Sequence, residues 1–195
     1  MDETLDLRLG VQQRVLPAYR AAFFDLLGNC CRSGLGVFAG APAASEAIHA
    51  AQELNTARRY TARNLHMGKV EQSFYLCWQL GVLRWLAGWQ PDFLVVEANP
   101  RILSTRLAVR WMHARGRPVV GWGLGAPGAI SPAPAPSKFR LAGLRSLSRR
   151  NFFRQFDGLV AYSQRGAEEY RALGVPAERV FVAHNAASSR PAAPP

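Results

Sequence analysis

The sequence predicts an α/β domain, an open parallel sheet with helices on both faces. Three observations carry that expectation. Strand-like apolar runs alternate with helical segments in βαβα order. Residues 93–96, Phe-Leu-Val-Val, form the continuous apolar run typical of a strand buried on both faces. A chain of 195 residues, 49% of them apolar, is long enough for one full core; at this size roughly 70% of the unfolded surface is buried.

Residues 5–11 (LDLRLGV) alternate apolar and polar side chains and predict the first strand. Pro17 opens a helix over 18–27 that closes near Gly28 and Asn29. A second strand over 35–39 ends at Gly40 and Pro42, and Ala-rich residues 43–54 have helical spacing. Residues 55–68 are polar and give no assignment. Long helical periodicity follows over 70–89, with Phe74, Trp78, Val82 and Trp85 on one side. Gln79 and Arg84 interrupt its apolar stretch, which is shorter than the roughly 20 residues of a membrane span, so a buried or surface-lying helix is expected.

Pro91-Asp92 precedes strand 93–96, and Glu97 stands at its C-terminal end. Pro100 starts a helix to about residue 114, with Leu103, Leu107, Val109 and Trp111 inward and Arg106, Arg110 and Arg115 wet, until Gly116 stops it. A strand over 118–122, a loop rich in Gly, Pro and Ala over 123–136 and a helix over 138–154 come next. Strand 157–162, helix 164–173 closed by Gly174 and strand 179–183 complete the series. The expected division is one domain over 1–186 and a Pro/Ala/Ser-rich linker or disordered tail over 187–195. In such folds ligands gather beyond the carboxyl ends of the strands. That directs attention to loops 12–19, 97–101, 122–128, 163–165 and 184–186.

The formal charge is +11, from 22 Arg and two Lys against 13 acids, and it is uneven. Residues 1–97 carry nine bases and nine acids, residues 98–195 fifteen and four. Cys30, Cys31 and Cys77 are odd in number and two are adjacent, which argues against a disulfide framework or a spaced zinc site and for reduced, partly buried thiols. The four histidines form no metal-binding pair, so no metal site is expected. The acidic N-terminus lacks the pattern of a secretory signal, which implies a cytoplasmic protein.

Gly123-Leu124-Gly125-Ala126-Pro127-Gly128 matches GxGxxG after a strand. A dinucleotide site also needs a helix beginning in the motif and an acid about 20 residues on. Instead Pro132, Pro134 and Pro136 follow, and no acid occurs between Glu97 and Asp157, so a glycine-rich loop lining a cleft is the better reading. Around the same acid-free stretch, Lys138, Arg140, Arg145, Arg149, Arg150 and Arg154 interleave with apolar residues. Arg145, Arg149, Arg150 and Arg154 form a candidate face for an anionic membrane or other anion. Nucleic acid is disfavoured, because no RNA-binding or helix-turn-helix pattern accompanies the charge. Glu97, Asn99 and Arg101 place an acid, an amide and a guanidinium at a strand end, where they can hydrogen-bond a polyhydroxylated or phosphorylated ligand. The bland alternative is that Asn99 caps the helix and Glu97 pairs with an Arg.

Several segments in order resemble one family: Val15-Leu16-Pro17-Ala18-Tyr19-Arg20 with Phe23-Phe24, Pro91-Asp92 before Val95-Val96-Glu97, Asn99-Pro100-Arg101, and Gly116-Arg117-Pro118-Val119. The closing run is the most specific part: residues 157–163 (DGLVAYS), Gly166, Leu173-Gly174-Val175-Pro176, then residues 180–186 (VFVAHNA). Together they resemble the N-terminal half of family 4 glycosyltransferases of the GT-B fold. The resemblance implies a retaining, metal-independent hexosyltransferase, cytoplasmic and often peripheral at the inner face of the membrane. Such an enzyme moves a sugar from a nucleotide diphosphate sugar, the co-substrate, to an acceptor such as a glycan, a lipid-linked sugar or a cell-envelope polysaccharide precursor. No further cofactor is implied. The N-terminal domain would bind mainly the acceptor. The donor-binding domain with its paired glutamates would lie in a C-terminal domain or partner subunit, leaving this chain inactive alone. Carried over residue by residue, Arg14, Tyr19 and Arg20 would contact acceptor or phosphate, with Glu97, Asn99 and Arg101 as cleft polar groups. Trp122 and Gly123 would line the cleft, Ser163 would face it from a strand end, and Asn185 would mark the hinge. Many relatives place a His in the loop where this sequence has Gly123-Leu124-Gly125. The alternative function is a non-catalytic basic module for anionic lipid or nucleic acid, and a dinucleotide-dependent enzyme is a third reading.

Overall fold

A computed structural model describes residues 4–70, 75–127, 129 and 139–184, with the backbone alone over 139–146. Its frame is a seven-stranded, all-parallel sheet built from β1 (Leu9–Val15), β2 (Leu35–Gly40), β3 (Arg58–Thr61), β6 (Phe93–Glu97), β7 (Val119–Gly123), β8 (Gly158–Ala161) and β9 (Val180–Val182). The spatial order is β3-β2-β1-β6-β7-β8-β9. Between β3 and β6 the chain forms an antiparallel hairpin, β4 (Arg63–Met67) with β5 (Leu76–Leu80). The helices are α1 (Ala21–Cys30), α2 (Val82–Trp89), α3 (Thr105–His113), α4 (Phe139–Arg154) and α5 (Gln164–Ala172). None of the helices among the described residues is long and apolar enough to cross a membrane.

The pleat of the central strands divides the core between two faces. From β6, Phe93 and Val95 join Val11, Leu16, Phe24, Val37 and Trp122 on the α1 side. Leu94 and Val96 join Phe38, Trp85, Val109, Met112, Phe152, Phe153 and Tyr170 on the other. Coverage on both sides explains the unbroken apolar run of β6. On α4, whose basic residues drew attention in the sequence, Phe152 and Phe153 are buried and serve this core.

Four expectations of the sequence need correction. The first strand lies at Leu9–Val15 rather than 5–11, because its Gln12 and Gln13 are buried and paired in the sheet, where polarity had marked a loop. Residues 43–54 are not helical. The segment is drawn out against the turn after β1, with Ala18 N–H donating to the His49 carbonyl at 2.8 Å and Ala51 N–H to that of Leu16 at 2.9 Å. These tertiary bonds override the helical preference of the alanines. The helix expected over 70–89 is a strand followed by a short helix. Gly81, at φ +89°, separates β5 from α2, and within β5 the buried Cys77 and Gln79 alternate with Leu76, Trp78 and Leu80. Phe74, placed on that helix, lies outside the described residues. Finally, α3 starts at Thr105, not at Pro100, because residues 100–104 turn to meet β5: Cys77 N–H donates to the Arg101 carbonyl at 2.8 Å and Leu103 N–H to that of Cys77 at 2.9 Å. Strands β3 and β4 lie in residues 55–68, which had no assignment from the sequence, and the remaining helices and strands fall within a few residues of expectation. Residues 187–195, expected to be a linker or tail, and Asn185, expected to mark a hinge, lie outside the described residues.

Candidate functional site

From β1 the sheet grows outward to β3, and the chain then crosses to β6 and grows the other way. The switch point lies between β1 and β6, and the carboxyl ends of those strands open a crevice there. A cavity of about 1050 Å³ occupies it. Its walls are the end of β1 and the turn beyond (Arg14, Pro17, Tyr19, Arg20), the β6–α3 turn (Glu97, Asn99, Arg101, Leu103), Arg106 of α3, the loop after β7 (Gly123, Leu124, Gly125), Arg149 and Phe153 of α4, and Tyr162 after β8.

Seven of the nine residues selected from the sequence as acceptor or phosphate contacts or cleft lining thus meet at one cavity: Arg14, Tyr19, Arg20, Glu97, Asn99, Arg101 and Gly123. Trp122 does not join them. Strand alternation turns it to the α1 face, where it meets Phe23 and Phe24 at ring separations of 5.7 and 6.4 Å. Ser163 is the N-cap of α5, its Oγ accepting the Gly166 N–H at 3.1 Å, and it does not line the cavity. Of the four arginines read as one anionic-surface face, Arg149 is half-buried in the cavity wall and donates to the Pro127 carbonyl at 2.7 Å. Arg150 and Arg154 are exposed, and Arg154 borders a separate small cavity with Phe156 and Arg179. The Arg145 side chain lies outside the described residues.

Glu97 is fixed by a main-chain N–H and a side-chain amide rather than by a guanidinium. It accepts the Arg14 N–H at 2.9 Å and the Asn99 amide at 3.2 Å. Asn99 in turn accepts the Arg101 N–H at 3.1 Å, so it shapes the turn after β6 and does not cap α3. The Arg14 guanidinium pairs bidentately with Glu46 at 2.5 and 2.7 Å. Burial opposes the charge on Arg14, but Glu46 holds its pKa above the ordinary value, and Arg14 holds that of Glu46 below its own.

Arg20 sits among three rings, its guanidinium carbon 5.1 Å from the Trp122 centroid, 5.5 Å from Tyr162 and 5.6 Å from Tyr19. It donates to the Tyr162 hydroxyl at 3.0 Å, and its Nε is buried without a partner among the described residues. Such a cage fixes a cation's direction while leaving its charge unneutralised. Burial raises the Tyr162 pKa, which keeps the phenol protonated.

The glycine-rich loop has a packing explanation. At Gly125, φ is +119°, and a Cβ would come within 2.6 Å of Gly166 on α5; at Gly123 it would come within 3.0 Å of the Tyr170 hydroxyl. No helix begins at Gly123–Gly125, as a dinucleotide fingerprint requires, and Gly128 lies outside the described residues. Among the described residues, no three His, Cys, Asp or Glu side chains gather as metal ligands. The cysteines are free, with Cys31 and Cys77 buried and Cys30 exposed.

Sequence reasoning missed Arg106, read as a wet helix residue, as well as Glu46 and Tyr162. The stretch without acids from Glu97 to Asp157 was the available signal for an uncompensated basic wall.

A doubly wound parallel sheet with its cavity at the switch point defines a Rossmann-like domain of the kind that makes one half of a GT-B enzyme. The chain belongs to the glycosyl transferase 4-like domain family, whose model matches residues 10–186. Crystal structures of Anabaena HepE share the fold. The complex with UDP and glucose aligns at 15% identity and a TM-score of 0.51, over 92% of this chain and 44% of that one. The complex with UDP aligns at 16% and 0.50, over 93% and 44%. A UDP-GlcNAc 2-epimerase from Neisseria meningitidis bound to UDP-GlcNAc aligns at 13% and 0.48, over 91% and 46%. The chain therefore spans less than half the length of these solved structures. No curated protein sequence matches it.

Proposed function

We propose that this domain is the acceptor-side half of a glycosyltransferase that moves a sugar from a nucleotide diphosphate sugar to an acceptor. The observation that carries the reading is the cavity at the β1–β6 switch point, which gathers Arg14, Tyr19, Arg20, Glu97, Asn99 and Arg101, together with membership of the family. Under this reading Glu97 and Asn99, held by the turn they form, accept and donate hydrogen bonds to acceptor hydroxyls. Arg20, aimed by its cage, stabilises negative charge that develops as the diphosphate leaves. The donor occupies a second domain of the length that the HepE complexes have in addition. Resemblance to family 4 enzymes supports retention, no metal and no cofactor beyond the nucleotide sugar.

The burial of Phe152 and Phe153 weighs against the alternative of a membrane or nucleic-acid module, since it removes two apolar residues that a lipid-facing α4 would present. The test is sugar transfer from a panel of radiolabelled UDP-, GDP-, dTDP- and ADP-sugars, by the chain alone and with a donor-binding domain supplied. Transfer that needs the second domain, and falls at least tenfold in Glu97→Gln, is the expected result. No transfer from any donor in either arrangement would leave the reading without support.

A further inference from the structure

We infer that the cavity recognises a phosphate group on the acceptor, held between Arg106 and Arg149 with Arg101 at the mouth. The inference rests on the acceptor-side reading above and names the chemistry of that acceptor.

Charge bookkeeping in the wall carries it. Five guanidinia line the cavity against one carboxylate. Arg14 is satisfied by Glu46, and Glu97 by the Arg14 N–H and Asn99. Of the other four, Arg20 is enclosed by rings. Arg101, Arg106 and Arg149 have no carboxylate within ion-pair distance among the described residues. Segment 98–156, which supplies the β6–α3 turn, α3, the loop after β7 and α4, contains no Asp or Glu at all.

Arg106 and Arg149 are not ordinary solvated surface cations. The Arg106 guanidinium lies 4.8 Å over the Phe152 ring, three residues along α4 from Arg149. Both are half-buried, and burial lowers the pKa of each, assisted at Arg106 by the neighbouring Arg110 and opposed at Arg149 by the more distant Glu169 and Tyr170. Among the described residues each guanidinium donates one hydrogen bond, to a main-chain carbonyl, Arg106 to Pro100 at 3.5 Å and Arg149 to Pro127 at 2.7 Å. A guanidinium has five N–H donors in a fixed fork, so most remain available to the cavity. Partly desolvated cations without a paired carboxylate are costly unless an anion arrives, and two forks lining one cavity match the several oxygens of a phosphate. At about 1050 Å³ the cavity has room for a sugar beside that group.

The phosphate of the acceptor and the diphosphate of the donor share this chemistry, so the test separates them. Titrate the chain by calorimetry, at constant ionic strength, with inorganic phosphate, inorganic pyrophosphate and UDP. Compare wild type with Arg106→Gln, Arg149→Gln and, as a charge control on the exposed face of α2, Arg84→Gln, after circular dichroism has shown that each variant is folded. We expect phosphate and pyrophosphate to bind, each cavity variant to weaken both by about tenfold, Arg84→Gln to change them less than twofold, and UDP to bind no more tightly than pyrophosphate. Absence of phosphate binding, or equal weakening in Arg84→Gln, overturns the inference. UDP binding more than tenfold tighter than pyrophosphate also overturns it, because the site would then read a nucleoside and belong to the donor. Any of these results leaves the transfer assay of the preceding section standing on its own.

Discussion

His66 shows how one residue behind the cavity wall links structure to pH. Its Nδ1 lies 2.8 Å from the Tyr75 hydroxyl, and the rings stack at 5.8 Å. Burial and then the Arg14 charge lower its pKa, with Glu46 opposing, while burial pushes the Tyr75 phenol up to about 12. A histidine whose pKa is lower folded than unfolded binds its proton more readily in the unfolded chain, so stability falls as pH drops through about 6.5 toward the folded value. The slope attributable to one such group cannot exceed about 1.4 kcal/mol per pH unit. Urea unfolding at pH 7.5, 6.5 and 5.5 is therefore expected to show a decline in wild type that is shallower in His66→Gln. Equal slopes would mean that other groups govern this range. At the same scale, the lining of the candidate site was legible in the sequence where chemistry and strand ends coincide, as at Glu97, Asn99 and Arg101. Trp122 was misplaced because the side-chain alternation of β7 depends on where the strand begins.

At the scale of the element, the β4–β5 hairpin supports the site without entering most of it. The buried Gln79 of β5 accepts from Gln12 at 2.9 Å and donates to the Gln13 carbonyl at 3.0 Å and to Asn64 at 3.1 Å, while its N–H donates to Ser104 at 3.1 Å. The Gln79 side-chain amide thus ties the hairpin to β1 and its main-chain N–H ties it to the start of α3, while Cys77 bonds the turn that carries Arg101. Removing that side-chain amide in Gln79→Leu leaves the Gln12 amide buried without its acceptor, at a cost of about 2 kcal/mol. For a domain of this size that corresponds to a melting temperature lower by about 4–8 °C. An unchanged melting temperature would show that the hairpin docks by apolar contacts alone. The same network explains why this region was the least legible. Polar residues at buried positions erased the alternation that marks strands, and Trp78, Val82 and Trp85 fell at helical spacing across a strand-to-helix junction. The parallel strands β2, β6, β7 and β8 were legible because burial on both faces leaves an apolar signature no neighbouring contact can disguise.

The molecule as a whole carries its excess charge where it has least to pair with. The net +11 resides in the second half of the chain, and the described residues contain three ion pairs, of which only Arg14–Glu46 joins two well-covered side chains. Salt therefore screens little attraction and much repulsion. Repulsion among like charges destabilises the compact state, and raising ionic strength from about 0.02 to 0.5 M shortens the screening length from over 20 Å to about 4 Å. A gain of about 1 kcal/mol is a reasonable scale for that relief, equivalent to about 2–4 °C in the melting temperature. Melting the chain in increasing sodium chloride is expected to show this rise, with most of it retained in Arg149→Gln, because one arginine among 22 changes the overall field only slightly. Replacing chloride by phosphate at equal ionic strength adds a further rise that is larger in wild type than in Arg149→Gln, since binding to the folded state stabilises it by mass action beyond the general effect of an excluded anion. A fall in melting temperature with sodium chloride would show instead that attractive pairs dominate, and that the acid-poor half is neutralised by contacts this sheet does not make.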